Sequence, residues 1–316
     1  MEADQKELRF GLCAAVLAHL IWGVFPLFWS QLGDFDAVQA VCHRVLWSFV
    51  TLSCLSPWLW RSYRHKRQRV GNSSEEATKS KPTQPDLVGA VSFRSVAFYL
   101  AAAVLIAVNW LTFVWAVNND RVLQASLGYY INPLLNVLFG VVLLGERLTR
   151  IQWVGIGFAA SGVAVMTYAQ GGLPWVSLVL ASSFASYGFV KKKAQLPALL
   201  GLWMETLVLF LPAMGMLLFA EYQGIGAFRS GDPRLIFLLI LGGTITIAPL
   251  GFFAFAAQRV PLSLLGILQY IGPTMQFFLG VFLFDEAFES SDQAGFICVW
   301  IAVAIFLVSS RSKKSG

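Results

Sequence analysis

The chain has 316 residues, of which 57% are hydrophobic and 13% are charged, with a formal net charge of +6 and a mean hydropathy of +0.66. A soluble domain usually carries about 25% charged residues, so this composition excludes an ordinary globular protein in water. The four cysteines (Cys13, Cys42, Cys54 and Cys298) lie far apart in apolar sequence and predict neither a disulfide framework nor a metal site. We expect an all-α integral membrane protein.

Apolar segments of crossing length follow one another along the chain. A bilayer core about 30 Å thick needs roughly 20 apolar residues per helix, and lipid offers unpaired backbone groups no partner. The first segment is too long for a secretory signal and has no small-residue cleavage site, so we interpret it as an uncleaved helix. Ten crossings are predicted, near residues 10–29, 37–59, 95–117, 122–144, 150–168, 174–190, 197–219, 235–256, 262–284 and 292–309.

The basic residues are distributed unevenly between the predicted loops. With the N-terminus in the cytoplasm, the outer segments hold only Arg121, Arg229 and Arg234. The inner segments hold many more: Lys6 and Arg9, the cluster from Arg61 to Arg94, Arg147 and Arg150, Lys191 to Lys193, Arg259, and Arg311 to Lys314. This bias follows the positive-inside rule and predicts both termini in the cytoplasm. The positive charge is therefore a topology signal and does not indicate nucleic-acid binding.

The insertion at 61–94 is the one long predicted loop. Its first part, 61–69, is a basic continuation of the second helix, and it is interpreted as an anchor to anionic lipid or as a regulatory partner site. Residues 71–85 are rich in Ser, Thr, Lys, Glu and Pro and are predicted to be disordered.

A segment near the middle of the chain occurs twice. Residues 130–146 contain Tyr-Ile-Asn-Pro and a later Glu, and residues 270–286 contain Tyr-Ile-Gly-Pro and a later Glu in the same register. Ten crossings give five per half, predicted at 8–170 and 171–311. Because five is odd, the second half enters the membrane from the opposite face, so an inverted repeat is predicted, as in many secondary transporters.

The repeated segments carry prolines near the middle of their crossings. Pro133 and Pro273 each remove a backbone hydrogen bond, and amide side chains lie beside both. Proline also occurs as a plain packing device in membrane helices, but the matched pair favours a hinge or cavity role.

Few ionisable residues lie inside the predicted crossings. His43 and Arg44 lie in the second and Glu205 in the seventh, at depths on the order of 7 Å apart for Arg44 and Glu205. A structural Arg44–Glu205 salt bridge is one reading. Proton binding by Glu205 with His43 nearby, coupled to transport, is another, and separate partners for each residue are a third.

The sequence carries no motif for catalysis or for binding nucleotide phosphates. We therefore predict that the chain is not an enzyme and has no cofactor, so that an ion gradient or downhill exchange supplies the work of transport.

Several short motifs together resemble one family. They include His43-Arg44-Val-Leu-Trp47-Ser48, Asn109-Trp110-Leu, Ile131-Asn132-Pro133-Leu, Leu144-Gly145-Glu146-Arg147, Glu205-Thr206 and Gln269-Tyr270-Ile-Gly272-Pro273. The chain is similar over nearly its whole length to the drug/metabolite transporter superfamily, in its EamA branch of the RarD type. The resemblance implies ten helices in two inverted five-helix halves around a central cavity. It also implies export of small metabolites or drugs across the plasma membrane.

We predict a secondary transporter that moves a small molecule by alternating access, with protons as a candidate coupling ion. The hinges would be Pro133 and Pro273, and the charge network His43, Arg44 and Glu205. The main alternative is a passive channel. The predicted substrate-binding residues are aromatic and amide side chains near mid-membrane: Trp22, Asn109, Trp115, Tyr130, Asn132, Asn136, Tyr187, Gln269, Tyr270 and Gln276.

Overall fold

A computed structural model describes residues 2–75, 93–119, 121–169, 175–283 and 290–312. Within these ranges the regular structure is helical and contains no strand. The α-helices are α1 (Glu2–Trp29), α2 (Ala37–Glu75), α3 (Phe93–Asn118), α4 (Val122–Leu144), α5 (Arg150–Ala169), α6 (Trp175–Lys193), α7 (Ala198–Tyr222), α8 (Pro233–Arg259), α9 (Leu262–Leu268), α10 (Ile271–Leu283) and α11 (Ser290–Ser312).

Seven stretches of helix are long and apolar enough to cross a membrane: Gln5–Leu32, Ala37–Arg64, Val96–Ala116, Gln124–Leu144, Arg150–Ala169, Ala198–Tyr222 and Pro233–Arg259. Many of their large apolar side chains are exposed, such as Leu211 at 75% and Val142 at 67%. Lipid is the solvent in which such side chains carry no cost. The protein is therefore a multi-pass membrane protein. The α6 helix ends in three lysines, and α9 and α10 are each too short to cross alone.

The ninth predicted crossing, 262–284, is wrong as a single helix, because the structure divides it at Gln269 and Tyr270. Pro273 has no N–H for the carbonyl of Gln269, four residues earlier, and its ring disfavours a continuing helix. The N–H of Gly272 donates to that carbonyl instead, at 3.2 Å, and closes a tighter turn. Pro273 then falls in the first turn of α10, where a helix needs no N–H.

The prediction of disorder from residue 71 is also wrong at its start. The α2 helix continues through the basic stub to Glu75. The arginines, the lysine and the glutamine of the stub are good helix formers, which explains why the helix does not stop at the membrane edge. Residues 76–92, the rest of the insertion, lie outside the described part of the chain.

Helix boundaries repeat along the chain with one spacing. The starts of α3, α4 and α5 (Phe93, Val122 and Arg150) and those of α8, α9 and α11 (Pro233, Leu262 and Ser290) are separated pairwise by the same 140 residues. The same spacing relates the matched sequence segments at 130–146 and 270–286.

One compact unit comprises residues 1–38, 104–193 and 248–316. Its most extensive helix contacts join α5 with α11, α4 with α6, α4 with α9, and α1 with α10. A cluster of buried side chains from α4, α5 and α11, including Tyr130, Met166 and Phe306, forms its core. Glycine allows the α5–α11 contact, since a Cβ on Gly162 would lie 2.7 Å from the carbonyl oxygen of Gly295.

The second compact unit comprises residues 39–103 and 194–247. Hydrogen bonds between helices hold it together: Ser48 Oγ donates to the Gly243 carbonyl at 2.7 Å, and Trp203 Nε1 donates to Ser53 Oγ at 3.0 Å. Bonds of this kind carry helix association where lipid supplies no hydrophobic driving force.

Candidate functional site

The first unit contains a buried amide cluster on the middle of α4. Asn132 and Asn136 lie one helical turn apart, and Asn136 Nδ2 donates to Asn132 Oδ1 at 2.9 Å. The same nitrogen donates to Gln269 Oε1 at 2.5 Å. All three side chains are buried. The cluster therefore joins the centre of α4 to the break between α9 and α10, two segments that are 133 residues apart in the chain.

A close backbone approach brings these segments together. A Cβ on Gly266 of α9 would lie 2.7 Å from the carbonyl oxygen of Pro133 and 2.9 Å from Asn136 Cβ, so only glycine fits there. Pro133 lies within a helix that continues through it, whereas Pro273 follows a break. The residue before each proline differs: it is Asn132 in α4 and Gly272 in α10.

Tyrosines from the matched segments meet beside the amides. Tyr270 OH donates to the carbonyl oxygen of Tyr130 at 3.2 Å, and the two rings stack with centroids 6.4 Å apart. Both rings are buried. The break thus places Gln269 and Tyr270 against α4, beside Tyr130 and the amides Asn132 and Asn136.

An aromatic cluster lies next to the amides and comprises His19 and Trp22 of α1, Phe184 and Tyr187 of α6, and Phe253 of α8. Ring centroids lie 5.4 Å apart for His19 and Trp22, 5.7 Å for Trp22 and Phe253, and 6.1 Å for Tyr187 and Phe253. Gly188 connects the two groups, because a Cβ there would lie 3.3 Å from Asn136 Oδ1 and 3.5 Å from Phe253 Cζ.

Two of the predicted residues tie helices together through their amides. Asn109 Nδ2 donates to the Leu180 carbonyl at 2.9 Å and to Ser183 Oγ at 3.1 Å, which fixes α3 against α6. Gln276 Nε2 donates to the Trp22 carbonyl at 3.2 Å, which fixes α10 against α1. Both contacts lie within the first unit.

Trp115 is placed apart from the amide cluster. It is 40% exposed, packs on Trp175 at 4.9 Å and lies 5.6 Å from the guanidinium of Arg121. An exposed tryptophan pair beside an arginine is typical of a membrane interface.

The predicted charge network, His43, Arg44 and Glu205, lies in the second unit, on α2 and α7. His43 and Glu205 are buried, and the ring of His43 packs edge-on against Phe228 at 5.9 Å. The pairing of Arg44 with Glu205 stays a prediction. Over the described stretches, no group of three or more His, Cys, Asp and Glu side chains is arranged to hold a metal ion.

A contact at the start of α9 was not predicted. Gly145 ends α4 in the left-handed conformation, with φ of 67°, and turns Glu146 toward α9. The carboxylate of Glu146 accepts hydrogen bonds from the N–H of Leu262 at 2.6 Å, the N–H of Ser263 at 2.9 Å and Ser263 Oγ at 2.5 Å. The repeated glutamate was the only sequence signal for this contact.

A cleft of about 410 Å³ opens beside this cap, lined by Leu144, Glu146, Lys192, Lys193, Arg259 and Pro261. Lys192 Nζ donates to the Val260 carbonyl, and Arg259 pairs with Glu7 at 2.6 Å. Burial lowers the pKa of Lys192, and the Glu146 carboxylate opposes that shift. These contacts fasten the end of α4 to the start of α9, the end of α6 to the α8–α9 linker, and the end of α8 to α1.

Comparison with known proteins agrees with this architecture. A model of the EamA-like transporter family matches residues 9–168. The protein RarD of Streptomyces exfoliatus is 41% identical over 95% of this chain and 89% of its own length, and the transporter YojE of Bacillus subtilis is 37% identical over 99% of both. One solved crystal structure matches in fold alone, with a TM-score of 0.61 and 17% identity over 98% of this chain and 99% of its own. The chain belongs to the EamA-like transporter family and is a membrane transporter of the RarD type.

Proposed function

We propose that the protein is a secondary transporter that exports a small molecule by alternating access. Its substrate site is the buried centre formed by the amide cluster and the aromatic cluster. The observation that carries the proposal is the helix break at Gln269 and Tyr270, which lies against the polar middle of α4. Interrupted helices at mid-membrane are where transporters of several folds bind their substrates.

The site comprises Trp22, Tyr130, Asn132, Asn136, Tyr187, Gln269 and Tyr270. Asn109 and Gln276 support it through their bonds to α6 and α1. Trp115 belongs to the outer interface in this proposal. Pro133 and Pro273 act as hinges, and the second of them already adjoins a turn.

The two halves, 8–170 and 171–311, form an inverted repeat around this site. The 140-residue spacing of three pairs of helix starts supports the repeat, as do the contacts that join α4 with α9 and α5 with α11. Ten crossings result when α6, the α9–α10 pair and α11 are counted with the seven long apolar helices. The chain then lies in the plasma membrane with both termini in the cytoplasm, in accord with the positive-inside rule.

Counterflow in proteoliposomes tests the function. A panel of amino acids, nucleosides and antibiotics is first screened by efflux from cells that lack or overproduce the protein. The purified protein is then reconstituted into proteoliposomes. These vesicles are loaded with unlabelled substrate, namely the best compound of the screen, and uptake of the labelled compound is measured. An alternating-access transporter gives saturable uptake that internal substrate stimulates, whereas a passive channel gives flux proportional to concentration without stimulation.

Proton coupling through Glu205 and His43 is part of the proposal. Both side chains are buried in the second unit. Ionisable side chains buried inside membrane proteins usually have a functional role, such as proton binding. Collapse of the proton gradient should abolish concentrative transport in these vesicles. Transport that is indifferent to the gradient removes the coupling role and leaves the exchange mechanism standing.

A further inference from the structure

The buried imidazole of His19 presents a bare hydrogen-bond acceptor. Its Nδ1 lies 2.6 Å from the carbonyl oxygen of Ala15 and must therefore carry the proton, because a carbonyl oxygen only accepts. In the neutral ring Nε2 then has a free lone pair. Nε2 is fully buried and has no hydrogen-bond partner within the described ranges. His19 as a whole is 3% exposed.

A second bare acceptor lies on α4. Asn136 uses its nitrogen twice, toward Asn132 and toward Gln269. Its Oδ1 is buried and, in the portion of the chain that is described, is bonded to nothing. A buried acceptor without a donor costs about 1–3 kcal/mol and is rare in folded proteins, so two in one place require a reason.

Both acceptors border the same aromatic cluster. The His19 ring lies 6.2 Å from the Phe253 ring, edge-on. Asn136 Oδ1 and Phe253 Cζ are both within 3.5 Å of the position that a Cβ of Gly188 would occupy. The helix break adjoins His19 as well, since a Cβ on Gly272 would lie 3.7 Å from the His19 carbonyl.

We propose that His19 Nε2 and Asn136 Oδ1 accept hydrogen bonds from the transported molecule. The molecule is then a planar or aromatic compound that carries hydrogen-bond donors such as hydroxyl, amide N–H or amine groups. Trp22, Phe184, Tyr187 and Phe253 supply apolar ring surface for its frame, and the two acceptors fix its orientation. The proposal rests on the function proposed above and names the chemistry of its site.

A matched set of neutral probes tests this. The probes are phenols and aromatic amides, such as 4-hydroxybenzamide, each paired with a counterpart in which every O–H and N–H is methylated. Binding is measured by calorimetry to protein in lipid nanodiscs, with empty nanodiscs subtracted. We expect donor-bearing probes to bind at least about tenfold more tightly than their methylated counterparts. Equal binding within the pairs, or no binding by any probe, overturns the proposal.

Variants of His19 assign the preference to one nitrogen. His19→Gln can place an oxygen near the position of Nε2, whereas His19→Asn places its polar atoms near Nδ1. We expect His19→Gln to retain the preference for donors, and His19→Asn and His19→Phe to lose it. Thr246→Val is the control, because the Thr246 hydroxyl donates to the carbonyl of Gly242 in its own helix, at 2.7 Å.

A preference that survives in His19→Asn overturns the role of Nε2. If His19→Asn and His19→Phe do not fold, equal binding within the probe pairs by wild type, or loss of the donor preference in His19→Gln, still overturns the proposal. Saturable counterflow of any substrate without a donor preference leaves the proposed function intact while it removes this inference.

Discussion

The segments α4 and α9–α10 share the sequence Tyr-Ile-X-Pro in the same register and take different backbone paths. The α4 helix runs unbroken through Pro133, whereas its counterpart stops at Leu268 and resumes at Ile271, just before Pro273. The residue that precedes the proline is Asn132 in one and Gly272 in the other. Asn132 accepts a bond from Asn136 one turn later, and glycine has no side chain with which to stabilise a continuing helix.

In the proposed transporter, this difference is what allows the two segments to form a substrate site. The unbroken member supplies a rigid wall with amides at one level, and the interrupted member brings Gln269 and Tyr270 to that level through a turn. Two identical helices would offer only symmetric contacts. An asymmetric pair suits a substrate that is itself asymmetric.

The largest expected effect comes from separating the two segments. Gly266→Val places atoms where the Pro133 carbonyl and Asn136 Cβ already lie, within 2.9 Å of the new Cβ. We expect a loss of about 2–3 kcal/mol in the free energy of unfolding and loss of transport. Denaturant unfolding in detergent and counterflow measure the two effects.

Gly157→Ala is the matched control for that variant, because a Cβ on Gly157 meets nothing within 4 Å. It should leave both stability and transport close to wild type. If Gly266→Val had the stability and transport of Gly157→Ala, α4 and α9 would not lie in close contact.

The next effect comes from uncapping the broken helix. Glu146→Ala removes three hydrogen bonds at the start of α9 and leaves two backbone N–H groups without their acceptor. We expect stability to fall by about 2 kcal/mol, since bonds to a charged group contribute more than neutral ones. Heat denaturation of the purified protein measures the change.

Arg147→Ala, at an exposed neighbouring position, should change stability by less than about 0.5 kcal/mol. The stability of Glu146→Gln should fall between those of Glu146→Ala and Arg147→Ala, because the amide oxygen of glutamine still accepts a hydrogen bond. Equal stability of all three variants would show that α9 needs no cap.

A smaller effect is expected at the amides. Asn136→Leu removes the donor shared by Asn132 and Gln269 and leaves two buried carbonyl oxygens unpaired. We expect a loss of about 1 kcal/mol in stability, because side-chain bonds in membrane proteins are worth modest amounts, together with a large loss of substrate affinity.

Affinity is the readout that separates binding from packing in this variant. Thr246→Val, which removes a buried hydroxyl that bonds to the Gly242 carbonyl of its own helix, should leave affinity unchanged. Wild-type affinity in Asn136→Leu would remove the amide cluster from the site.

The smallest effect sharpens the role of the break itself. Gly272→Ala adds a methyl group at an ordinary contact distance of 3.7 Å from the His19 carbonyl. Because alanine leaves the unfolded chain fewer conformations than glycine does, the free energy of unfolding should rise by about 0.5 kcal/mol. If the break is a hinge, turnover should fall while substrate affinity changes little, and undiminished turnover would argue against a moving break.

The helical class and the seven long apolar helices were predictable, since apolar length is a property of the chain. The amide cluster was predictable too, because Asn132, Asn136 and Gln269 flank prolines at matched positions. The break was not predicted, because a proline is compatible both with a kinked helix and with a stop.

The aromatic half of the proposed site could not be predicted from the sequence. Phe253 and Phe184 belong to apolar runs in which nearly every residue is hydrophobic, so nothing in the sequence distinguishes a cluster member from a lipid-facing ring. His19 stood out as a polar residue in such a run, but its free nitrogen is visible only once the Ala15 carbonyl has fixed its tautomer. Trp115 carried the same sequence signal as Trp22 and lies elsewhere.

The antiparallel arrangement of α4 and α9–α10 across the membrane is tested most directly by thiol labelling in intact cells. Single cysteines at the exposed positions Arg121 and Pro261, just before the two helices, are introduced after the four native cysteines have been replaced by serine. A membrane-impermeant reagent should label Arg121→Cys from outside and reach Pro261→Cys only after permeabilisation. Labelling of both positions from one face would contradict the inverted repeat and the substrate site built on it.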